Sequence, residues 1–263
     1  MFWWNTDLCL SKRQSPTDTE PLTKGLALRA PIALALDAPD LATAIAWAQI
    51  VDGEISILKV GLETYLRDGL GGVRAIQEAA PNCQLFLDLK LHDIPNTVAG
   101  ACRSVEKLNP AFLTIHALGG AQMVRAAAQA LPGTQIAAVT VLTSMDQAAL
   151  TELRLGETEE LALNLAKVAV SAGARALVCS PHEVRAIRAH VGPDITLIVP
   201  GVRLPGEDVG DQKRVSTPAQ ALADGADLLV IGRSITGPWK TEGTIGVATA
   251  LGNVLSHLRS YNN

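Results

Sequence analysis

The chain of 263 residues is 48% hydrophobic and only 18% charged, a balance that excludes disorder of the whole chain and supplies enough apolar side chains for one large core. Its 22 basic and 26 acidic residues leave a formal charge of −4. That excludes the basic surplus which drives binding to nucleic acid or anionic membranes, while permitting a local phosphate site built from one or two cations.

Residues 1–29 carry Ser, Thr, Pro and charges without a period and predict a poorly ordered extension before one catalytic domain at 30–263. The opening MFWWNTDLCLSKRQ lacks a basic stretch followed by an apolar one, so no secretory signal is expected. No run approaches the roughly 18 apolar residues of a membrane span. Cys9, Cys83, Cys102 and Cys179 are scattered, with no C-x-x-C pair, and predict reduced thiols in a cytoplasmic protein.

From Pro31 onward, short apolar runs alternate with stretches of helical period. Strands are predicted at 31–37, 54–60, 84–90, 111–117, 134–142, 174–180, 195–201 and 226–232. Helices are predicted between them at 41–50, 62–79, 97–108, 121–131, 161–172, 182–190 and 219–223, with a last one at 243–260. Strict strand–helix alternation implies right-handed crossovers and a parallel sheet. Eight such units close a (β/α)8 TIM barrel as a single domain. The alternative, an open doubly wound sheet, usually carries a glycine-rich first turn, and LDAPD (36–40) has none.

Polar residues gather at the carboxyl ends of the predicted strands: Asp37, Lys59, Asp88 with Lys90, His116, Thr143 with Ser144, Ser180, and Arg233 just past the eighth. Barrel active sites lie at that end. Strand alternation puts Phe86, Asp88 and Lys90 on one face, toward the barrel interior, and Leu85, Leu87 and Leu89 toward the helices. Asp88, Lys90 and Asp93 fall within six residues, and Lys59 ends the preceding strand. Together they make two ammoniums and two carboxylates, which keep one another ionised if they converge. The alternative for these four is a structural ion-pair cluster at the barrel mouth, though such clusters add little stability. A Schiff-base lysine must lose its proton to attack. Flanking carboxylates favour the ammonium instead, so Lys90 suits proton donation, and proton delivery to carbon after loss of carbon dioxide is a candidate reaction.

The connection at 200–218 is long for a βα loop and contains Arg203, Gln212, Lys213 and Arg214. Strand eight then ends in IGRSI. Barrels commonly hold phosphate with the loops after strands seven and eight; Gly232 permits close backbone approach, and Arg233 offers a forked donor pair.

With these residues assembled, 31–260 resembles the orotidine 5′-phosphate decarboxylases of the bacterial type. The resemblance is carried by LALD (34–37), LKVGLE (58–63), FLDLKLHDIPNTV (86–98), TVLTS (140–144), VPGVR (199–203), GDQKR (210–214) and IGRSI (231–235). It implies a (β/α)8 barrel that decarboxylates orotidine 5′-phosphate to uridine 5′-phosphate without metal or organic cofactor. By position, Lys90 is similar to the proton donor to C6 of the pyrimidine, and Lys59, Asp88 and Asp93 to the rest of the charged network. The family's site lies at a homodimer interface, so Asp93 and Thr97 would reach the partner's site. Asp37 and Lys59 look like ribose contacts, and Thr143 and Ser144 lie where the family meets the pyrimidine. Arg203, Gln212, Gly232 and Arg233 match phosphate and lid contacts.

Other polar residues have structural readings. His92 is expected to support its neighbours, His116 to be a satisfied packing histidine, His182 to open a turn after Ser180 and Pro181, and Cys179 to be a small buried hydrophobe. Asn96 or Thr97 is expected to cap the third helix. Two rival functions share the outline. Metal-dependent phosphosugar lyases of the same barrel group also carry D-x-K-x-x-D, but the resemblance places a magnesium-binding glutamate where this chain has Lys59. A barrel that binds a phosphorylated nucleotide without turning it over could keep the phosphate loops but would not need the intact charged set.

Overall fold

The computed structural model describes residues 29–207 and 215–261. The expected extension at 1–29 therefore lies outside the described residues except for Arg29. Eight parallel strands, β1 (Ala30–Ala35), β2 (Ile55–Gly61), β3 (Gln84–Leu91), β4 (Phe112–His116), β5 (Gln135–Val139), β6 (Ala176–Val178), β7 (Thr196–Val199) and β8 (Leu228–Ile231), pair in chain order. The first also pairs the last, so the sheet closes into a barrel with no free edge. Among the described residues no helix is long and apolar enough to cross a membrane.

Between strands run α1 (Leu41–Val51), α2 (Leu62–Ala79), α3 (Pro95–Val105) and α4 (Gly120–Ala130). These are followed by α5 (Gln147–Glu152) and α6 (Thr158–Ser171) after β5, α7 (Val184–Val191) after β6, and α8 (Pro218–Ala223) after β7. The chain finishes with α9 (Arg233–Thr236) and α10 (Trp239–Tyr261). Helix α1 starts where the Asp40 carboxylate accepts the Thr43 backbone N–H at 2.7 Å. The short α5, absent from the sequence reading, starts the same way on Asp146. Helix α10 begins before the predicted 243, with Gly243 at φ 56 breaking it near the start of the periodic stretch.

The start of α3 departs from expectation. Neither Asn96 nor Thr97 caps it; Pro95 occupies the first turn, and Ile94 stands at the cap without a side-chain hydrogen bond. A proline there gives up no intrahelical bond, and its fixed φ already suits the helix, so the chain turns helical two residues early.

Two apolar layers follow from the pleat. Inside the barrel lie Ala33, Ile57, Phe86, Phe112, Ala137 and Ile198, with the Phe86 and Phe112 rings edge to face at 5.7 Å. Outside it, Leu34, Leu58, Leu85, Leu87 and Leu89 pack under the helices. Side chains two positions along a strand share a face, so the interior residues Ile57, Phe86 and Phe112 are followed upward by Lys59, Asp88 and Thr114. A dry aromatic floor thus lies one layer beneath the polar residues of the mouth. Strands β5 and β6 end at Val139 and Val178, earlier than predicted. The apolar residues that continue those runs, Val141, Leu142 and Cys179, lie just beyond the strand ends and line the space above.

Candidate active site

At the carboxyl end of the strands a cavity of about 610 Å3 opens. Its charged wall is a chain of ion pairs crossing three strands. Lys59 Nζ lies 3.2 Å from one Asp88 oxygen and 3.9 Å from Asp37, while Lys90 Nζ lies 2.7 Å from the other Asp88 oxygen. The register explains the convergence: Lys59 stands beside Ala35 on β1 and Phe86 on β3, and Gly61 stands beside Asp88. Gly61 is a residue the sequence reading did not single out. A Cβ there would come within 3.1 Å of Asp37 and 3.2 Å of Lys59 Nζ, so a side chain would crowd both charged groups.

Exposure is lowest in the middle of the chain of charges and rises toward both ends. The Asp37 side chain is 55% exposed, Lys90 32%, Asp88 13% and Lys59 8%. Burial alone would raise the Asp88 pKa, but the Lys59 and Lys90 ammoniums outweigh it and hold this carboxyl below the usual range. Asp88 is therefore a fixed anion at neutral pH, gripped from both sides. Thr114, also missed in the sequence, is fully buried beside it and donates its hydroxyl to Asp88 Oδ1 at 3.0 Å.

The other walls come from separate loops. Thr143 and Ser144 follow β5, Arg203 follows β7, and Gly232 and Arg233 follow β8; all line the cavity. Val139, Val178 and Val230 add apolar lining to the cavity. Gly232 is close against β1, where an added Cβ would meet Ala35 at 3.3 Å. The long connection after β7 is pinned at its stem: Val202 bridges Ser216, and Arg203 donates its backbone N–H to the Ser216 carbonyl at 3.0 Å. Gln212, Lys213 and Arg214 lie outside the described residues.

Asp93 and Thr97 do not join this site within one chain. Both are exposed beyond β3, and the Asp93 carboxylate accepts the backbone N–H of Ile94 at 2.6 Å. The strand's alternation ends before them, so nothing aims them at the barrel axis. Asp37 takes the second carboxylate position beside Lys59, and Lys90 meets Asp88.

His116 differs from expectation as well. Its Nδ1 is buried without a hydrogen bond, and its ring faces that of His92 with centroids 5.4 Å apart. Burial first, then the neighbouring His92 and Lys90, hold this imidazole below its ordinary value. His182 sits in the turn after Ser180, donating its backbone N–H to the Ser180 hydroxyl at 3.3 Å. Cys179 is buried, as a small hydrophobe would be, and borders the cavity.

Known proteins resemble the chain over the whole barrel. The chain is 62% identical over 210 residues to orotidine 5′-phosphate decarboxylase of Thermobifida fusca, a match spanning 80% of this chain and 90% of that one. It is 51% identical over 228 residues to the enzyme of the same name from Frankia casuarinae, spanning 80% and 82% of the two chains. The crystal structure of orotidine 5′-phosphate decarboxylase from Lactobacillus acidophilus superposes with a TM-score of 0.71 at 29% identity, covering 87% of this chain and 98% of the other. Residues 30–242, which hold every strand of the barrel and the whole charged wall, match a single family throughout. The chain belongs to the orotidine 5′-phosphate decarboxylase / HUMPS family.

Proposed function

We propose that the chain decarboxylates orotidine 5′-phosphate to uridine 5′-phosphate and carbon dioxide, the step that yields the pyrimidine nucleotide, with Lys90 delivering a proton to C6. The observation that carries this reading is the Lys59–Asp88–Lys90 array on the cavity wall. The bond from C6 to the carboxylate breaks, carbon dioxide departs, and the electron pair stays on C6. That pair lies in the ring plane, where the π system cannot spread it, so electrostatic stabilisation must come from the protein. The Lys90 ammonium faces the developing charge and transfers its proton to it; water then restores the ammonium. Asp88 cannot move away from the substrate carboxylate, and the repulsion between them disappears as carbon dioxide forms.

The rest of the cavity suits the rest of the nucleotide. Asp37 and Lys59 are assigned to the ribose hydroxyls, Thr143 and Ser144 to the pyrimidine, and Arg203, Gln212, Gly232 and Arg233 to the phosphate and the loop above it. Asp93 and Thr97 are assigned to the site of a second copy in a homodimer. Exposed Ile94 between them, 66% accessible, supports an interface there, and sedimentation at twice the chain mass tests it. A cytoplasmic setting accords with Cys83, Cys102 and Cys179, none of which is in a disulfide.

The phosphosugar-lyase reading fits less well. Between the two carboxylates that could hold a divalent ion stands the Lys59 ammonium, which would repel one. The deciding experiment follows the ultraviolet absorbance of orotidine 5′-phosphate with purified chain, with and without a chelator. Consumption that survives chelation is the expected result. No consumption overturns the proposal, and loss of activity on chelation favours the metal-dependent lyase.

Arg233→Ala touches no reacting atom, yet it is expected to lower kcat/KM about 100-fold, because phosphate binding supplies energy that holds the reacting groups in register. Steady-state kinetics with kcat/KM unchanged would exclude that role.

A further inference from the structure

The β3–β4 ladder is broken where the chemistry sits. Leu87 pairs Leu113, and the next registered pair is Leu91 with Ile115, so β3 spends four steps where β4 spends two. Residues 88–90 therefore bulge away from β4, and Lys90 adopts φ 47, a left-handed conformation uncommon for a residue with a side chain. A bulge orphans backbone groups. Here the Lys90 N–H, without a ladder acceptor, donates to the Thr114 hydroxyl at 2.8 Å. That same hydroxyl spends its own proton on Asp88 Oδ1 at 3.0 Å, the oxygen that also accepts Lys90 Nζ at 2.7 Å.

One oxygen atom thus closes a ring through the Lys90 backbone, the Lys90 ammonium and the Asp88 carboxylate. We propose that Thr114 is a positioning residue for the decarboxylation: its hydroxyl fixes the Asp88 carboxylate and the bulged Lys90 backbone relative to each other, so that ammonium and anion meet the reacting carbon in one geometry. The inference rests on the reading of Lys90 as proton donor. Thr114 is fully buried, so no water replaces its hydroxyl from solvent. Without it, Asp88 Oδ1 is held by Lys90 Nζ alone, and the carboxylate can rotate and exchange partners between Lys90 and Lys59. The bulged backbone loses the acceptor that holds it in an unfavourable conformation.

Thr114→Val removes the hydroxyl and keeps the shape, while Thr114→Ser keeps the hydroxyl and removes the methyl. Misalignment of reacting groups by about 1 Å costs on the order of 100-fold, so Thr114→Val is expected to lower kcat by about 10- to 100-fold. KM for orotidine 5′-phosphate and the affinity for uridine 5′-phosphate should stay within about 3-fold of the parent, because the ribose and phosphate contacts are untouched. Thr114→Ser is expected to keep kcat within about 3-fold. If Thr114→Val proves too unstable to assay, Thr114→Ser decides, since a packing role would make it slow and a hydroxyl role leaves it fast. Parent-like kcat in Thr114→Val, a slow Thr114→Ser, or a loss confined to KM overturns the inference and leaves the decarboxylase reading standing. A parent chain that leaves orotidine 5′-phosphate unchanged overturns both.

Discussion

Replacement of Lys90 by alanine is expected to lower kcat at least about a thousand-fold, because the change removes both a general acid and a charge facing the developing carbanion. Nothing else on the charged wall can substitute. Lys59 is directed between Asp37 and Asp88, at 3.9 and 3.2 Å, and is nearly sealed from solvent. Lys90 is the more exposed of the two ammoniums, toward the cavity where substrate would lie. Binding of uridine 5′-phosphate should survive, since the phosphate and ribose contacts come from other strands. Lys90→Arg adds a finer test. A guanidinium keeps the positive charge and can pair with Asp88, but it does not give up its proton near neutral pH. If proton delivery is the role, Lys90→Arg stays slow by at least about 100-fold. Single-turnover measurement showing near-parent rates in Lys90→Arg would assign Lys90 to electrostatics alone.

Asp88→Asn should damage both rate and stability. The amide keeps the size of the carboxylate but leaves the Lys59 and Lys90 ammoniums facing each other without an anion between them. Breaking a buried pair by removing one partner costs about 3–5 kcal/mol, and Asp88 has a partner on each side. The catalytic cost should be on the order of 100- to 1,000-fold in kcat, the scale of removing one preorganised electrostatic group. The stability loss carries a pH signature. Because the folded-state pKa of Asp88 lies below its unfolded value near 3.9, its stabilisation is fully present above about pH 4 and fades as pH falls through the folded value. Urea unfolding should thus show a wide gap between parent and Asp88→Asn at pH 7 that narrows only as pH falls below about 4 and through the folded value, where the parent carboxyl also becomes neutral. A gap that stays constant across that range would mean that the lysines do not depend on the anion.

The barrel itself was legible along the chain, because its determinants are local. Apolar runs of strand length, each followed by a stretch of helical period, leave few other ways to bury both faces of a sheet. Alternation also placed Phe86 and Asp88 inward and Leu85 and Leu87 outward, since the pleat has a period of two whatever the strand pairs with. The strand ends were less legible. Val141 and Leu142 are apolar enough to extend their strand, yet they lie beyond its end and line the cavity. Apolar character reports burial, not hydrogen-bonded pairing.

Several features of the site depend on which strand lies beside which, and at what register. The sequence by itself determined that charged residues collect at one end of a parallel barrel. Only the tertiary structure decided that Asp37 rather than Asp93 stands beside Lys59, that Gly61 must lack a side chain, and that His116 keeps an unpartnered nitrogen. It also decided that Lys90 reaches Asp88 through a bulge held by Thr114, not along a regular strand. The physical reason is one of range. A side chain's inward or outward direction is set by its immediate backbone, whereas its partner is set by hydrogen bonds between strands that close only when the whole sheet does.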